Sequence, residues 1–437
     1  MIKHPISKAP IDNSVAPTLI RALGTLDLTA VGINGVIGAG IFLIPATIAS
    51  ILGAASIWAY LAAGSVICLI VFCFAEAGSW IQSTGGPYVY ARNVFGRFAG
   101  FQIGWMTWLA RVAGLAALSN GFAASLGYFW RPAAGSLKMI AITLLFLFVT
   151  WINLIGVRFG KRVINGLTVA KLLPLFLFVA GGFFFVDWTR YQTMNLQQIS
   201  RLGEGTLLLV FALTGWEVAV IPAEEVKNPR KSIPLALTIT ILFVTVFYML
   251  IQLVAYGVLP GIENSATPLA SAANVIGGGL GASGITLAAL LSITGTCSGL
   301  MLAGPRMLYA FATEKDIPFL FAHVHPRYRT PHIAILVTAA VSLFLAYLGN
   351  FAQMAALAAI ARLISYVGVC LAVPFLRRKI TVDGKRFVLP GGWLIPALAT
   401  GLSFWLIAHS TRTQFALALG AAGVGTALYL VSRRNRK

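Results

Sequence analysis

Apolar runs long enough to cross a lipid bilayer recur along the whole chain. A helix needs about 20 predominantly apolar residues to span the hydrocarbon core. Only 10% of the 437 residues are charged, whereas soluble proteins average about 25%. Hydropathy predicts twelve spans, at 24–53, 55–79, 97–128, 137–157, 163–186, 203–224, 232–258, 281–312, 331–348, 352–376, 389–409 and 412–432. The sequence therefore predicts an all-α polytopic membrane protein whose surroundings are the lipid bilayer.

The basic residues are concentrated in alternate connections between these spans. Of the 32 Lys and Arg residues, 24 lie in the two termini and the loops on their side, and five lie in the opposite loops. In membrane proteins, the side of the membrane whose loops are richer in Lys and Arg is the cytoplasmic side. We therefore predict a protein of the cytoplasmic membrane with both termini in the cytoplasm. The net charge of +20 then reflects topology, and no nucleic-acid partner is predicted.

Two of the predicted spans carry glycines at positions where a helix would be interrupted. Span one contains Gly38 and Gly40 with Pro45 downstream, and span six contains Gly215 with Pro222 downstream. Glycine costs a helix about 1 kcal/mol relative to alanine. Glycines in membrane helices also serve as packing contacts, which is the alternative explanation. Matching interruptions five spans apart instead favour an inverted repeat of five plus five spans.

No linker divides the chain, so the sequence predicts a single membrane domain over 24–432. The predicted parts are an N-terminal tail (1–23), a first repeat (24–186), a second repeat (203–376), two accessory helices (389–432) and a C-terminal tail (433–437).

A broken span leaves backbone N–H and C=O groups without partners, at a cost of several kcal/mol each in lipid. The free N–H groups at the start of the second half-helix favour an anion. The free carbonyls at the end of the first half favour a cation. Gly38 and Gly40 permit close approach of the backbone to a ligand. Together these groups match a zwitterion, and a free amino acid is the predicted substrate.

Four segments resemble motifs of the amino acid–polyamine–organocation superfamily of transporters. They are GVIGAGIFLIPA (35–46), STGGPYVYARNVFG (83–96), FALTGWEVAVIPAEEVKNPRKSIPLA (211–236) and LAGPRMLYAFATEKDIP (302–318). The resemblance implies broken spans one and six in a five-plus-five fold, with two accessory helices. It also implies secondary active transport by alternating access. Neither an enzymatic activity nor a cofactor or metal site is expected.

The same resemblance implies the substrate contacts. The N–H groups of Ala39, Gly40 and Ile41 would bind the substrate carboxylate. The remaining predicted contacts are the carbonyls of Val36, Ile37, Phe211 and Thr214 for the ammonium, and Gly38 and Gly215 for close approach. Phe211 also occupies the position of an aromatic gate. Ala39 stands where several arginine exchangers carry a serine, so one hydroxyl contact is absent.

Lys171 is charged and lies about nine residues past Arg162, which is about 13 Å into span five. Ionisable residues inside spans are rare and functional by default. Related proton-coupled transporters carry a lysine where sodium-coupled relatives bind sodium. Because burial favours the uncharged amine, we predict that Lys171 exchanges the coupling proton near Gly38 and hydroxyls such as Thr294, Thr296 or Ser298. The alternative is a lysine whose ammonium extends to the membrane surface.

Arg111 lies near the middle of span three, where arginine exchangers line the pocket for the substrate side chain. A guanidinium there repels a cationic side chain, so neutral or acidic amino acids are the predicted substrates. The alternative is a structural ion pair of Arg111 with Glu217 or Glu76. Glu217 is itself predicted to relay protons, or else to balance Arg111 or Arg362, and Arg362 has no assigned role.

Several functions remain open at this point. Within transport, the alternatives to proton symport are substrate exchange and a transporter-derived sensor. Sodium coupling is disfavoured because Lys171 would compete with a second cation. A membrane enzyme would need a nucleophile–base pair, and a channel would need a continuous polar lining. The oligomeric state is left open.

Overall fold

Helices account for most of the backbone that the structure describes. The computed structural model describes residues 24–38, 40–81, 86–156, 161–192, 196–219, 226–379 and 387–434, with backbone alone at 161–168, 196–197, 218–219, 229 and 434. Within these ranges there is no β-strand. The predicted tail 1–23 and residues 435–437 lie outside the described residues, as does Ala39.

Fifteen α-helices follow one another in these ranges. They are α1 (Thr25–Val36), α2 (Gly40–Leu52), α3 (Ser56–Trp80), α4 (Pro87–Phe95), α5 (Arg97–Leu126), α6 (Lys138–Ile155), α7 (Lys161–Gly182), α8 (Leu196–Ser200), α9 (Leu202–Ala212), α10 (Pro229–Val258), α11 (Pro268–Thr313), α12 (His332–Leu348), α13 (Phe351–Lys379), α14 (Leu394–Ala408) and α15 (Arg412–Arg434).

The helices confirm the all-α polytopic class. Seven helical segments are long and apolar enough to cross a membrane, and four shorter apolar helices accompany them. Each of the twelve predicted spans contains one or more helices. Helices α3, α5, α10 and α13 are 25 to 30 residues long, and α5 packs against α13, α11 and α12. The core of the molecule is therefore built around α5.

Spans one and six are interrupted, as predicted. Helix α1 ends at Val36, and Ile37 has φ −73° and ψ 79°, outside the helical region. Helix α9 ends at Ala212, and the chain continues through Thr214 and Gly215 into a 3₁₀ turn. Gly215 has φ +115°, a conformation that side chains with a Cβ rarely adopt.

Three connections contain α-helices that hydropathy does not predict, and the shortest of these helices is α8, between spans five and six. Part of the predicted loop at 259–280 is helical, because α11 starts at Pro268 and kinks at Gly277 and Gly278. Helix α4 forms within the motif at 83–96, before span three, and packs on α5 and α13. Gly96 has φ +85° between α4 and α5, and this glycine permits the sharp turn that joins the two helices.

Two ion pairs join the ends of spans that are far apart in the chain. Glu76 in α3 is fully buried and binds both Arg377 Nε, at 2.6 Å, and Arg377 Nη2, at 2.7 Å. Its second oxygen also accepts the N–H of Leu389 at 2.9 Å. Arg97 at the start of α5 binds the buried Asp316 at 2.8 Å. Two of the buried carboxylates are thus paired, as burial of a charge requires.

Tyr88 in α4 belongs to the second of these clusters. Its hydroxyl donates to Asp316 Oδ2 at 3.3 Å and accepts from Arg92 Nη1 at 2.7 Å. Burial, followed by the charge of Asp316, raises the pKa of Tyr88 to about 12. The hydroxyl therefore stays protonated at neutral pH, and it connects α4 to the end of α11.

We expect Arg377→Ala to lower the free energy of unfolding by about 3 kcal/mol, because the carboxylate of Glu76 is then buried without its partner. Thermal unfolding of the detergent-purified protein measures the change. The matched control is Arg378→Ala, because Arg378 is exposed. Equal melting temperatures for the two variants would show that the pair does not stabilise the fold.

Candidate functional site

The two interrupted segments lie against each other. A Cβ placed on Gly215 would be 2.2 Å from the carbonyl oxygen of Gly35. A Cβ on Gly40 would be 3.0 Å from Ala212 Cα. Contacts this short leave no room for a side chain. The glycines therefore bring the end of α1 and the start of α2 against the break in span six.

The carbonyls at the end of α1 have partners from three other helices. Lys171 Nζ in α7 donates to Asn34 O at 2.7 Å and to Ile37 O at 2.8 Å. Tyr248 Oη in α10 donates to Val36 O at 3.1 Å, and the N–H of Gly38 reaches the same oxygen at 2.7 Å. An ammonium group at a helix C-terminus is favourable because the helix dipole is negative there.

Span eight supplies the fourth contact, from a serine that differs from the predicted hydroxyls. Ser292 Oγ in α11 donates to Ile37 O at 3.3 Å. Thr294 and Thr296 bond to carbonyls of their own helix, at 2.8 Å each. Thr296 nevertheless faces the break, since its Oγ1 is 3.2 Å from the Cβ position of Gly38. The sequence named Thr294, Thr296 and Ser298 as examples of hydroxyls near the break, and Ser292, one turn before Thr296, is a further one.

The start of α2 presents the predicted anion-binding groups. Gly40 and Ile41 occupy its first turn, where backbone N–H groups have no partner within the helix. Ala39, the third predicted donor, lies outside the described residues. Binding of a substrate carboxylate by these groups stays a prediction.

Phe211, the predicted gate, lies against two other helices, α5 and α13. Its ring is 3.8 Å from the Cβ position of Gly114 in α5. Its centroid is 6.0 Å from that of Phe351, in an edge-to-face arrangement. The Phe211 carbonyl, a predicted ammonium ligand, accepts Thr214 Oγ1 at 2.8 Å. Phe211 therefore covers the break in span six from the side of α5 and α13.

Glu217 connects this break to α13. Its carboxylate binds Arg362 Nη1 at 2.9 Å and the hydroxyl of Tyr366. The other oxygen accepts the N–H of Gly215 at 2.7 Å. Glu217 therefore satisfies a backbone donor that the interruption exposes, and it is paired with Arg362.

Arg111 has no such partner. Both carboxylates considered as its structural partners are engaged, Glu217 with Arg362 and Glu76 with Arg377. In the parts of the chain that the structure covers, no side chain or carbonyl forms a hydrogen bond or ion pair with Arg111. Arg362 and Glu217 are the charged residues close enough to interact electrostatically with its guanidinium group.

Five residues around this point are half-buried, although most of their neighbours in the chain are buried. They are Arg111, Phe211, Gly215, Glu217 and Arg362. They come from α5, the break in span six and α13. Such partial exposure in the middle of the bundle indicates a narrow crevice bounded by these residues. We call it the arginine crevice.

The comparisons with known proteins agree with this architecture. A family model described as amino acid permease matches residues 23–425. The chain belongs to the amino acid permease family. As members are transporters, this permease is a multi-pass membrane transporter.

Three relatives show how much the family varies in substrate. A methylthioribose transporter of Bacillus subtilis is 28% identical over 97% of this chain and 95% of its own length. A serine/threonine exchanger of the same species is 29% identical, over 93% of this chain and 96% of its own. A vacuolar cationic amino acid transporter of Arabidopsis thaliana is 26% identical, over 84% of this chain and 65% of its own.

Sequence reasoning did not identify three residues of this site, Tyr248, Ser292 and Tyr366. Tyr248 and Tyr366 are fully buried in long apolar helices. A buried tyrosine hydroxyl usually has a hydrogen-bond partner, so their presence in spans was the available signal. Nothing in the sequence indicated which carbonyl or carboxylate each would reach.

We expect Gly215→Ala to abolish transport by the permease and lower its melting temperature. Alanine at φ +115° is strained by about 1–3 kcal/mol, and its Cβ would overlap the Gly35 carbonyl. Gly295→Ala is the control, because an added Cβ there meets nothing within 4 Å. Both variants are compared by thermal unfolding and by uptake in liposomes. Normal uptake by Gly215→Ala would show that the close contact between the breaks is dispensable.

Proposed function

We propose that this permease is a secondary active transporter that carries free amino acids across the cell membrane by alternating access, coupled to proton symport. Neutral or acidic amino acids are the proposed substrates, and both termini are placed in the cytoplasm. The observation that carries the proposal is the ammonium of Lys171 bonded to the two carbonyls at the end of α1.

Lys171 is suited to couple a proton to the substrate site. It is 7% exposed, and its Nζ has two carbonyls and no carboxylate among its described partners. Losing a proton from this amine removes a positive charge from the end of α1, where the helix dipole favours it. The stability of the broken segment therefore depends on the protonation of Lys171. The proton gradient can thereby shift the permease between its conformations.

Glu217 is the second proposed proton-coupling residue. Protonating its carboxylate would remove the charge that holds Arg362 and weaken the bond from the Gly215 N–H. Both effects would change the break in span six, just as deprotonation of Lys171 would change the break in span one. The alternative for Glu217 is a purely structural role, which its pairing with Arg362 also supports. Uptake by Glu217→Gln in liposomes with and without a proton gradient distinguishes the two roles, because only proton coupling requires a change in the response to the gradient.

Exchange of one amino acid for another is the second candidate. It is favoured by the similarity to the serine/threonine exchanger over 93% of the chain. Exchange requires substrate on both sides of the membrane, whereas symport requires only the proton gradient. Empty and preloaded liposomes therefore distinguish the two mechanisms. A sensor would move no labelled amino acid under either condition.

We expect Lys171→Ala to lose the stimulation of uptake by an inward proton gradient, because the Ser292 hydroxyl, which also donates to the Ile37 carbonyl, cannot carry a positive charge. The assay is uptake of labelled neutral and acidic amino acids into proteoliposomes, with and without the gradient. Lys227→Ala, which changes an exposed lysine, should behave as the wild type. Full gradient-driven uptake by Lys171→Ala would refute proton coupling through this residue.

A further inference from the structure

The arginine crevice contains more positive than negative charge. Arg111 and Arg362 contribute two guanidinium groups, and Glu217 contributes the only carboxylate that bonds either of them among the described residues. The exposed fraction of the side chain is only 14% for Arg362 and 19% for Glu217, so water screens these charges weakly. Among the residues that the structure describes, one positive charge in the middle of the bundle therefore has no counter-ion.

The register between α5 and α13 places the two arginines opposite each other. A Cβ at Gly368 would lie 2.1 Å from Ile103 Cδ1. Thr107 and Ser365, one turn further along each helix, share a hydrogen bond of 2.6 Å. One more turn along both helices brings Arg111 to the level of Arg362. The crevice thus has a guanidinium on each of two facing helices.

This pair of arginines adjoins the predicted substrate position. Gly114, which touches the ring of Phe211, is one turn above Arg111 on α5. Arg362 is bonded to Glu217, which binds the N–H of Gly215. Each arginine is therefore connected to the break in span six through one intervening residue, Gly114 for Arg111 and Glu217 for Arg362. A ligand bound at the breaks can extend a short side chain into the crevice.

We propose that the arginine crevice binds the side-chain carboxylate of an acidic amino acid, with Arg111 as its main partner. This inference rests on the proposed function and deepens it by naming the substrate class as aspartate or glutamate. A carboxylate matches the fork of an arginine bidentately and supplies the missing negative charge. Arg362, already paired with Glu217, completes the positive surface.

The amides asparagine and glutamine provide the decisive comparison, because they have nearly the same shape as the acids and lack the charge. We expect aspartate or glutamate to raise the melting temperature of the purified permease at concentrations about tenfold or more below those needed for the matching amide. The same order should hold when each competes for uptake into liposomes. An equal response to acid and amide, or preference for the amide, would overturn the inference.

Arg111→Gln tests the assigned residue. We expect it to reduce the preference for acid over amide by about tenfold or more, with amide binding retained. Arg111→Lys, which keeps the charge, should retain most of the preference. Arg412→Gln, at an exposed position at the start of α15, should leave the preference unchanged. Persistence of the full preference in Arg111→Gln would contradict the assignment.

The two proposals fail in different ways. Uptake of neutral amino acids without any binding of acidic ones would refute the acidic substrate and leave amino acid transport intact. If no amino acid enters liposomes, the proposed transport fails. The melting-temperature comparison of acid with amide then still decides whether the crevice binds a carboxylate. If Arg111→Gln does not fold, the wild-type comparison decides alone.

Discussion

The structure depends on satisfying the backbone groups that two interrupted helices expose inside a membrane. In lipid, an unpaired carbonyl has no water to bind, so each exposed group needs a partner from the protein or a ligand. At the end of α1 the partners are Lys171, Tyr248 and Ser292, from α7, α10 and α11. At the break in span six, the N–H of Gly215 is bonded by Glu217. Because these partners come from different helices, a movement of one helix changes the bonding at the breaks.

The charged residues inside the bundle fall into two kinds. Glu76 with Arg377, Asp316 with Arg97 and Glu217 with Arg362 form ion pairs between residues far apart in the chain. Lys171 and Arg111 have no carboxylate partner among the described residues, and both adjoin the breaks. A buried cation without a counter-ion raises the energy of the protein. That cost is reasonable where the imbalance is temporary. A lysine can lose its positive charge by releasing a proton, and an arginine can gain a counter-ion when an anionic ligand binds.

The two cations that have no described carboxylate partner adjoin different interrupted segments. Lys171 contacts span one from α7, whereas Arg111 faces span six from α5. We assign the first to proton coupling and the second to recognition of the substrate side chain. Phe211 lies next to the second group, where its ring contacts α5 and α13. A division of this kind lets substrate specificity change without altering the coupling residue. The different substrates named for the relatives are consistent with such variation.

The sequence by itself determined the membrane class, the twelve spans and the position of both interruptions. These features follow from local properties: the length of apolar runs, and glycines such as Gly38 and Gly215 that are followed by a proline in the same span. It also indicated Lys171, because a charge inside a span is conspicuous. The tertiary structure alone decided that Ser292, and not Thr294 or Thr296, bonds Ile37. It also decided that Glu217 pairs with Arg362 and that none of the described carboxylates pairs with Arg111. Those outcomes depend on the rotation and height of one helix against another, and a single turn of about 5.4 Å changes which side chain reaches its partner.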